Sequence, residues 1–282
     1  MVGQCGRRPD FIVIGATKAG TTSLDFYLGC HPEIYMAKPK ELRFFTDYFW
    51  NQGVEWYENY FHTTKTYCGE TSPQYAHWPH VPERMAAIVP RIKLIYMVRE
   101  PMARLRSQYL MAAKRGWSKG SFESYIDQHP YALEDSLYGK QISRFLDHFP
   151  LSSIHILETQ DLKNRRDQAL AKVFQFIGAN TEYSSIFFRQ ELHVGKAEVY
   201  PNALGKRIDS SHLMKWSKRV LPMEVQYHLR NMILAPFAGV QPSTALPEAK
   251  RKSLEILFRE QVEQLRSLTG QPLQSLDALP DQ

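Results

Sequence analysis

Phe11-Ile-Val-Ile-Gly15-Ala-Thr-Lys-Ala-Gly20-Thr-Thr-Ser23 decides the fold. Phe11 to Ile14 is a short run rich in β-branched residues that ends at glycine, the pattern of a buried strand. The two glycines bracket a tight loop, and Thr21-Thr22-Ser23 supplies N-cap chemistry for a helix carrying Leu24 and Leu28 one turn apart. That helix stops near Gly29 and Pro32. A second strand reads from Lys93 to Val98, and Pro101 suits the first turn of a helix to about Lys114. A third strand at Ile154–Leu157 precedes a helix from about Arg165 to Ile177, ended by Gly178. Strands separated by helices imply βαβ crossovers, hence a three-layer α/β fold whose central, mainly parallel sheet is flanked by helices.

The rest of the chain sets limits. Its 282 residues are 43% hydrophobic and 23% charged, globular values that exclude a disordered or low-complexity protein. One domain over 1–282 is the expectation, with 1–9 a flexible N-terminus and 200–282 a mostly helical C-terminal part. Helices are expected near Leu213–Ile233 and Glu248–Leu268. No apolar run approaches the ~20 residues of a membrane span, and no secretory leader precedes Asp10. Cys5, Cys30 and Cys68 form neither a metal motif nor a disulfide framework, so reduced thiols and a cytoplasmic location are expected. The net charge of +6 suits an anionic ligand, but no dense Lys/Arg tract points to nucleic acid. Oligomeric state is not legible.

Gly15 and Gly20 have the spacing of a Walker A phosphate loop between a strand and a helix, a P-loop nucleotide-binding arrangement. Two parts differ. Thr21 stands where nucleotide triphosphatases carry lysine after the second glycine, and lysine appears earlier, as Lys18. The second strand ends in Arg99-Glu100 rather than in a magnesium-binding carboxylate. The loop therefore reads as an anion site without γ-phosphate machinery. Arg99 at a strand end, with Arg104 and Ser107 on the next helix, reads as a second phosphate site at the carboxyl edge of the sheet.

Together these segments resemble the sulfotransferases that use 3′-phosphoadenosine 5′-phosphosulfate (PAPS). Ile14 to Ser23 is similar to their 5′-phosphosulfate loop, and Val98 to Tyr109 to their 3′-phosphate segment. Lys40-Glu-Leu-Arg-Phe-Phe45, after His31-Pro32, resembles the stretch bearing the catalytic glutamate in the branch that sulfates glycans; Glu70-Thr-Ser-Pro-Gln-Tyr75 resembles a further segment of that branch. The resemblance implies that Lys18 touches the oxygen bridging phosphate and sulfate. It implies that Gly20, Thr21, Thr22 and Ser23 bind the 5′-phosphate, with Lys18 and Ala19 also among the cofactor-binding residues, that Arg99 and Ser107 hold the 3′-phosphate, and that Lys196 and Tyr200 reach the nucleotide from a late loop. Glu41 is then the base, PAPS the donor substrate, and no metal is required. The acceptor would be a small molecule or glycan presenting a hydroxyl or amine.

Thr71 stands where the glycan branch often has a lysine, and the small-molecule branch uses histidine as base, which keeps His62 and His77 as rivals to Glu41. Tyr35, Trp50, Trp56, Tyr57, Tyr60 and Phe61 read equally as core or as an acceptor platform. A divergent P-loop kinase using Mg·ATP and a catalytically inactive nucleotide-binding protein are the alternatives.

Overall fold

A computed structural model describes residues 7–189 and 239–277, with scattered positions between 202 and 237. Five strands form one sheet: β1 (Phe11–Gly15), β2 (Ile34–Met36), β3 (Tyr67–Thr71), β4 (Lys93–Val98) and β5 (Ile154–Glu158). Their order is β2-β3-β1-β4-β5 and every neighbouring pair is parallel. The helices are α1 (Thr21–Gly29), α2 (Val54–Glu58), α3 (Val81–Ile88), α4 (Pro101–Lys114), α5 (Phe122–Gln128), α6 (Pro130–Glu134), α7 (Tyr138–Leu146), α8 (Thr159–Asn164), α9 (Arg166–Ile177) and α10 (Glu248–Thr269). All five residues of β1 are buried, as a strand covered on both faces must be.

Where sequence and structure differ, the reason is local. β2 and β3 have no long apolar run. β3 holds Gly69, where a Cβ would come within 2.4 Å of the Phe11 ring, so only glycine lets that ring pack across the strand pair. Its Glu70 is 1% exposed and accepts from Tyr57 Oη (2.8 Å), Tyr75 Oη (2.8 Å) and Ser72 Oγ (2.7 Å). Burial raises its carboxyl above the ordinary value, against the pull of those donors. The N-cap of α1 is Gly20, at φ 93°, and Thr21 to Ser23 are its first turn; no side chain caps it. The expected Leu213–Ile233 helix falls mainly outside the described residues.

The aromatic stretch is mostly core. Tyr57 stacks on Phe44 at 4.5 Å between centroids, Phe61 meets Tyr57 edge-on at 5.0 Å, and Phe44, Phe45, Tyr57 and Phe61 are all buried. Residues 44–45 are thereby anchored, and the chain just before them is held at the sheet edge. A second apolar cluster joins α4, α5 and α10 through Leu105, Tyr109, Phe122, Tyr125, Leu254 and Phe258.

Candidate active site

The carboxyl ends of β1, β3 and β4 are adjacent because their strands are adjacent, and each releases one segment carrying polar groups. β1 opens into the loop 16–20 and then α1. An uncapped helix start with no acidic residue in its first turn leaves backbone N–H groups and a positive partial charge facing the loop. Ser23 N–H is an exception, since it donates to Gly20 O at 3.0 Å. Lys18 lies in the left-handed region at φ 69°, a conformation that costs a non-glycine residue about 1–3 kcal/mol. Its Nζ is 3.6 Å from Met111 Sδ on α4.

β4 ends beside this loop. Arg99 donates from Nη1 to Lys18 O at 3.4 Å, and its own carbonyl accepts from Tyr138 Oη at 2.7 Å. Burial lowers the Arg99 guanidinium below its ordinary value, so its charge lacks full solvation. Its neighbour Glu100 does not neutralise it by contact: that carboxylate caps α4, accepting from Met102 N at 2.8 Å and Ala103 N. Ser107 sits half-buried on α4.

Arg104 corrects the reading of a shared phosphate face. It is 0% exposed, and its fork is occupied by Ser136 Oγ, Gln108 Oε1, the Ala132 carbonyl and, at 3.4 Å, the Thr17 carbonyl. Asp135 lies 3.8 Å away. Arg104 is a brace between α4 and the glycine loop. Arg104→Ala leaves those acceptors and Asp135 underpaired, and the expected loss is about 3–5 kcal/mol of stability, read as a lower denaturation midpoint.

Three groups escaped the sequence reading. Thr159, at the start of α8, places Oγ1 2.6 Å from Ala19 O and 2.9 Å from Val98 O, tying the glycine loop to the end of β4. Tyr138 fixes the Arg99 carbonyl, and Gln74 reaches Glu41. Thr159 was findable as the first residue beyond a strand's carboxyl end, and Gln74 lies in the stretch 70–75 already singled out by resemblance, where it was given no role; Tyr138 comes from a distant segment and carries no local signal.

On the other side, Glu41 N donates to Thr71 O at 3.0 Å, hanging residues 37–43 on the end of β3. Thr71 pairs with Val13 of β1, which puts this segment one strand from the glycine loop. Glu41 (φ 68°) and Arg43 (φ 56°) are also left-handed, and with Lys18 they are three of the four such non-glycine residues among those described. Such strain persists where surrounding structure over-determines it, commonly at functional sites. The Glu41 side chain is 26% exposed and accepts from Arg43 Nη2 at 2.6 Å, Gln74 Nε2 at 2.6 Å and Lys40 Nζ at 3.2 Å. Burial alone would raise its carboxyl; the Lys40 charge and these three hydrogen bonds outweigh it and hold the group below the usual value. Glu41 is a carboxylate at neutral pH.

The rival histidines are placed differently. His62 is exposed. His77 Nδ1 lies 2.8 Å from Asp135 Oδ1, and its ring stacks on Trp78. Lys196 and Tyr200 lie outside the described residues. Among the described residues no group of three or more His, Cys, Asp or Glu could hold a metal ion, and no helix is long and apolar enough to cross a membrane.

Comparison with known proteins bears on the family and the fold. The sulfotransferase domain family matches residues 8–200. The chain is 30% identical over 236 residues to a mouse bifunctional heparan sulfate N-deacetylase/N-sulfotransferase 3, covering 72% of this chain and 27% of that protein. It is 35% identical over 144 residues to the membrane-associated sulfotransferase kil1 of Dictyostelium discoideum, covering 47% of this chain and 30% of the relative. The chain thus spans under a third of the length of these relatives. A sulfotransferase crystal structure from Alicyclobacillus acidocaldarius superposes with a TM-score of 0.68 at 21% identity, over 96% of this chain and all of that one, which shows the fold. The family match favours sulfuryl transfer over the kinase reading. With an all-parallel α/β sheet, the glycine loop at its carboxyl edge and this match over most of its length, the chain belongs to the sulfotransferase family.

Proposed function

We propose that this enzyme moves the sulfuryl group of PAPS to a hydroxyl or amine of an acceptor by in-line displacement. The observation that carries the reading is the convergence, at one sheet edge, of an uncapped helix start, a half-buried guanidinium against the glycine loop and a carboxylate held by three donors. PAPS carries two anionic ends, a 5′-phosphosulfate and a 3′-phosphate. The loop 16–20 with Thr21, Thr22 and Ser23 faces the first; Arg99 and Ser107 face the second. The acceptor oxygen or nitrogen attacks sulfur, the bond from sulfur to the bridging oxygen breaks, and 3′,5′-adenosine bisphosphate leaves. The acceptor's proton passes to Glu41, and Lys18 meets the charge that grows on the bridging oxygen. With a lysine and helix N–H groups in that role, the reaction runs without a metal.

The acceptor side carries Lys40 and Arg43 beside Glu41, with Lys38 at 72% exposure, and this excess of positive charge supports an anionic or polar glycan. The free thiols of Cys30 and Cys68 are consistent with a reducing compartment such as the cytoplasm.

The donor site is tested by titrating 3′,5′-adenosine bisphosphate into wild type and Arg99→Ala. Removing a desolvated partner of an anion costs about 2–5 kcal/mol, so affinity falls roughly 30-fold or more. Unchanged affinity removes Arg99 from the site.

A further inference from the structure

Behind the Glu41 segment lies a second carboxylate that the transfer step leaves unused. Asp25 sits one turn into α1, with its side chain 6% exposed. Oδ2 is 3.8 Å from Lys38 Nζ, while Oδ1 is buried without a hydrogen-bond partner. The Thr71 hydroxyl, equally buried and without a well-formed hydrogen bond, faces this carboxylate. The Thr71 carbonyl is the same one that holds Glu41 N at 3.0 Å. Asp25 and Glu41 therefore flank one residue of β3 from two elements, α1 and the 37–43 segment.

The charges show what this arrangement does. Lys40 and Arg43 pair with Glu41, and Lys38 lies on the same segment three residues before it; alone these cations would over-neutralise the carboxylate. A carboxylate so heavily paired is a poor base, because each donor competes with the proton it should accept. Asp25 faces Lys38 and Lys40 from behind, with Glu41 and Thr71 as its other polar neighbours. Burial raises the Asp25 carboxyl; Thr71, Lys38 and Lys40 draw it down, and Glu41 pushes it up. The two acids feel each other's charge.

We propose that Asp25 is a positioning residue for the base: its buried carboxylate engages Lys38 and faces Lys40, so that these cations do not serve Glu41 alone and Glu41 keeps a lone pair for the acceptor's proton. The proposal rests on the reading of Glu41 as the base. It makes an opposite-sign prediction that a purely structural role does not. Removing the anion, in Asp25→Asn, lowers the Glu41 titration midpoint; removing the exposed cation, in Lys38→Met, raises it.

The test is a carboxyl NMR titration of the full chain labelled with [5-13C]glutamate, the Glu41 resonance being the one lost in Glu41→Gln. A downward shift of roughly half a pH unit in Asp25→Asn and a comparable upward shift in Lys38→Met are expected. Midpoints that stay still, or move the same way in both variants, overturn the proposal. Lys38 is a surface residue, so Lys38→Met decides the matter even if Asp25→Asn fails to fold. Turnover of PAPS separates the two layers of the argument. Activity retained in Glu41→Gln overturns the base itself, and the proposal with it; activity lost there, with unmoved midpoints in the other variants, overturns the part given to Asp25 alone.

Discussion

Glu41→Gln loses about 10²- to 10⁴-fold in kcat, while the affinity for 3′,5′-adenosine bisphosphate stays within a few-fold of wild type. Glutamine is nearly isosteric and its one oxygen can still accept from Arg43 and Gln74, which share Oε2 of the acid, but the bond from Lys40 to Oε1 is lost and no lone pair is basic enough to take the acceptor's proton. The segment itself survives the change, since Phe44 and Phe45 are buried and Glu41 N stays on Thr71 O. The pH dependence follows from the lowered carboxyl. A base held below its ordinary value is ionised above that value and is lost as pH falls through it. The rate should therefore be flat across neutral pH, with an acid limb below the ~4.3 of a free glutamate. An acid limb near pH 6.5 that survives in Glu41→Gln would point to a histidine, and His77, held by Asp135, is the one to replace next.

Lys18→Ala divides binding from turnover. The Lys18 ammonium meets an oxygen whose charge is small in bound PAPS and grows as the sulfur–oxygen bond breaks, so its contribution is largest in the transition state. Loss of one such donor typically costs 10²- to 10³-fold in kcat, and that is the expected fall, with a change in nucleotide affinity several times smaller. Alanine also relieves a side chain at φ 69°, though its Cβ keeps most of that strain. Steady-state kinetics beside a nucleotide titration gives both numbers. Equal losses in the two would make Lys18 a binding residue only.

Much of the fold was legible because its decisive elements are local. Phe11 to Ile14 is a continuous apolar run ending at a glycine, and Gly178 and Gly270 terminate α9 and α10 at φ 103° and 67°. β3 was not legible, because its identity depends on partners elsewhere: Gly69 yields space to Phe11, and the Glu70 charge is answered by tyrosines at 57 and 75. At the site, Lys18, Arg99 and Glu41 could be picked out by position and by resemblance, and the fold brings their segments to one sheet edge. Arg104 could not be told from a phosphate ligand, since an arginine one turn into a helix looks the same whether its fork meets an anion or the Ser136 and Ala132 of another segment. Asp25 was invisible for the same reason: its meaning comes from Lys38 and Thr71, which arrive from β-strand ends later in the chain.

The central claim is a donor site for PAPS that needs no metal. Its most direct test is thermal denaturation with 3′,5′-adenosine bisphosphate in EDTA, beside ATP with and without magnesium. At about 100 times its Kd the bisphosphate adds ~2.7 kcal/mol of stability, a clear rise in midpoint. That rise, undiminished by EDTA and larger than any given by Mg·ATP, is the predicted result. A rise with Mg·ATP alone would contradict the donor assignment and return the glycine loop to nucleoside triphosphate chemistry.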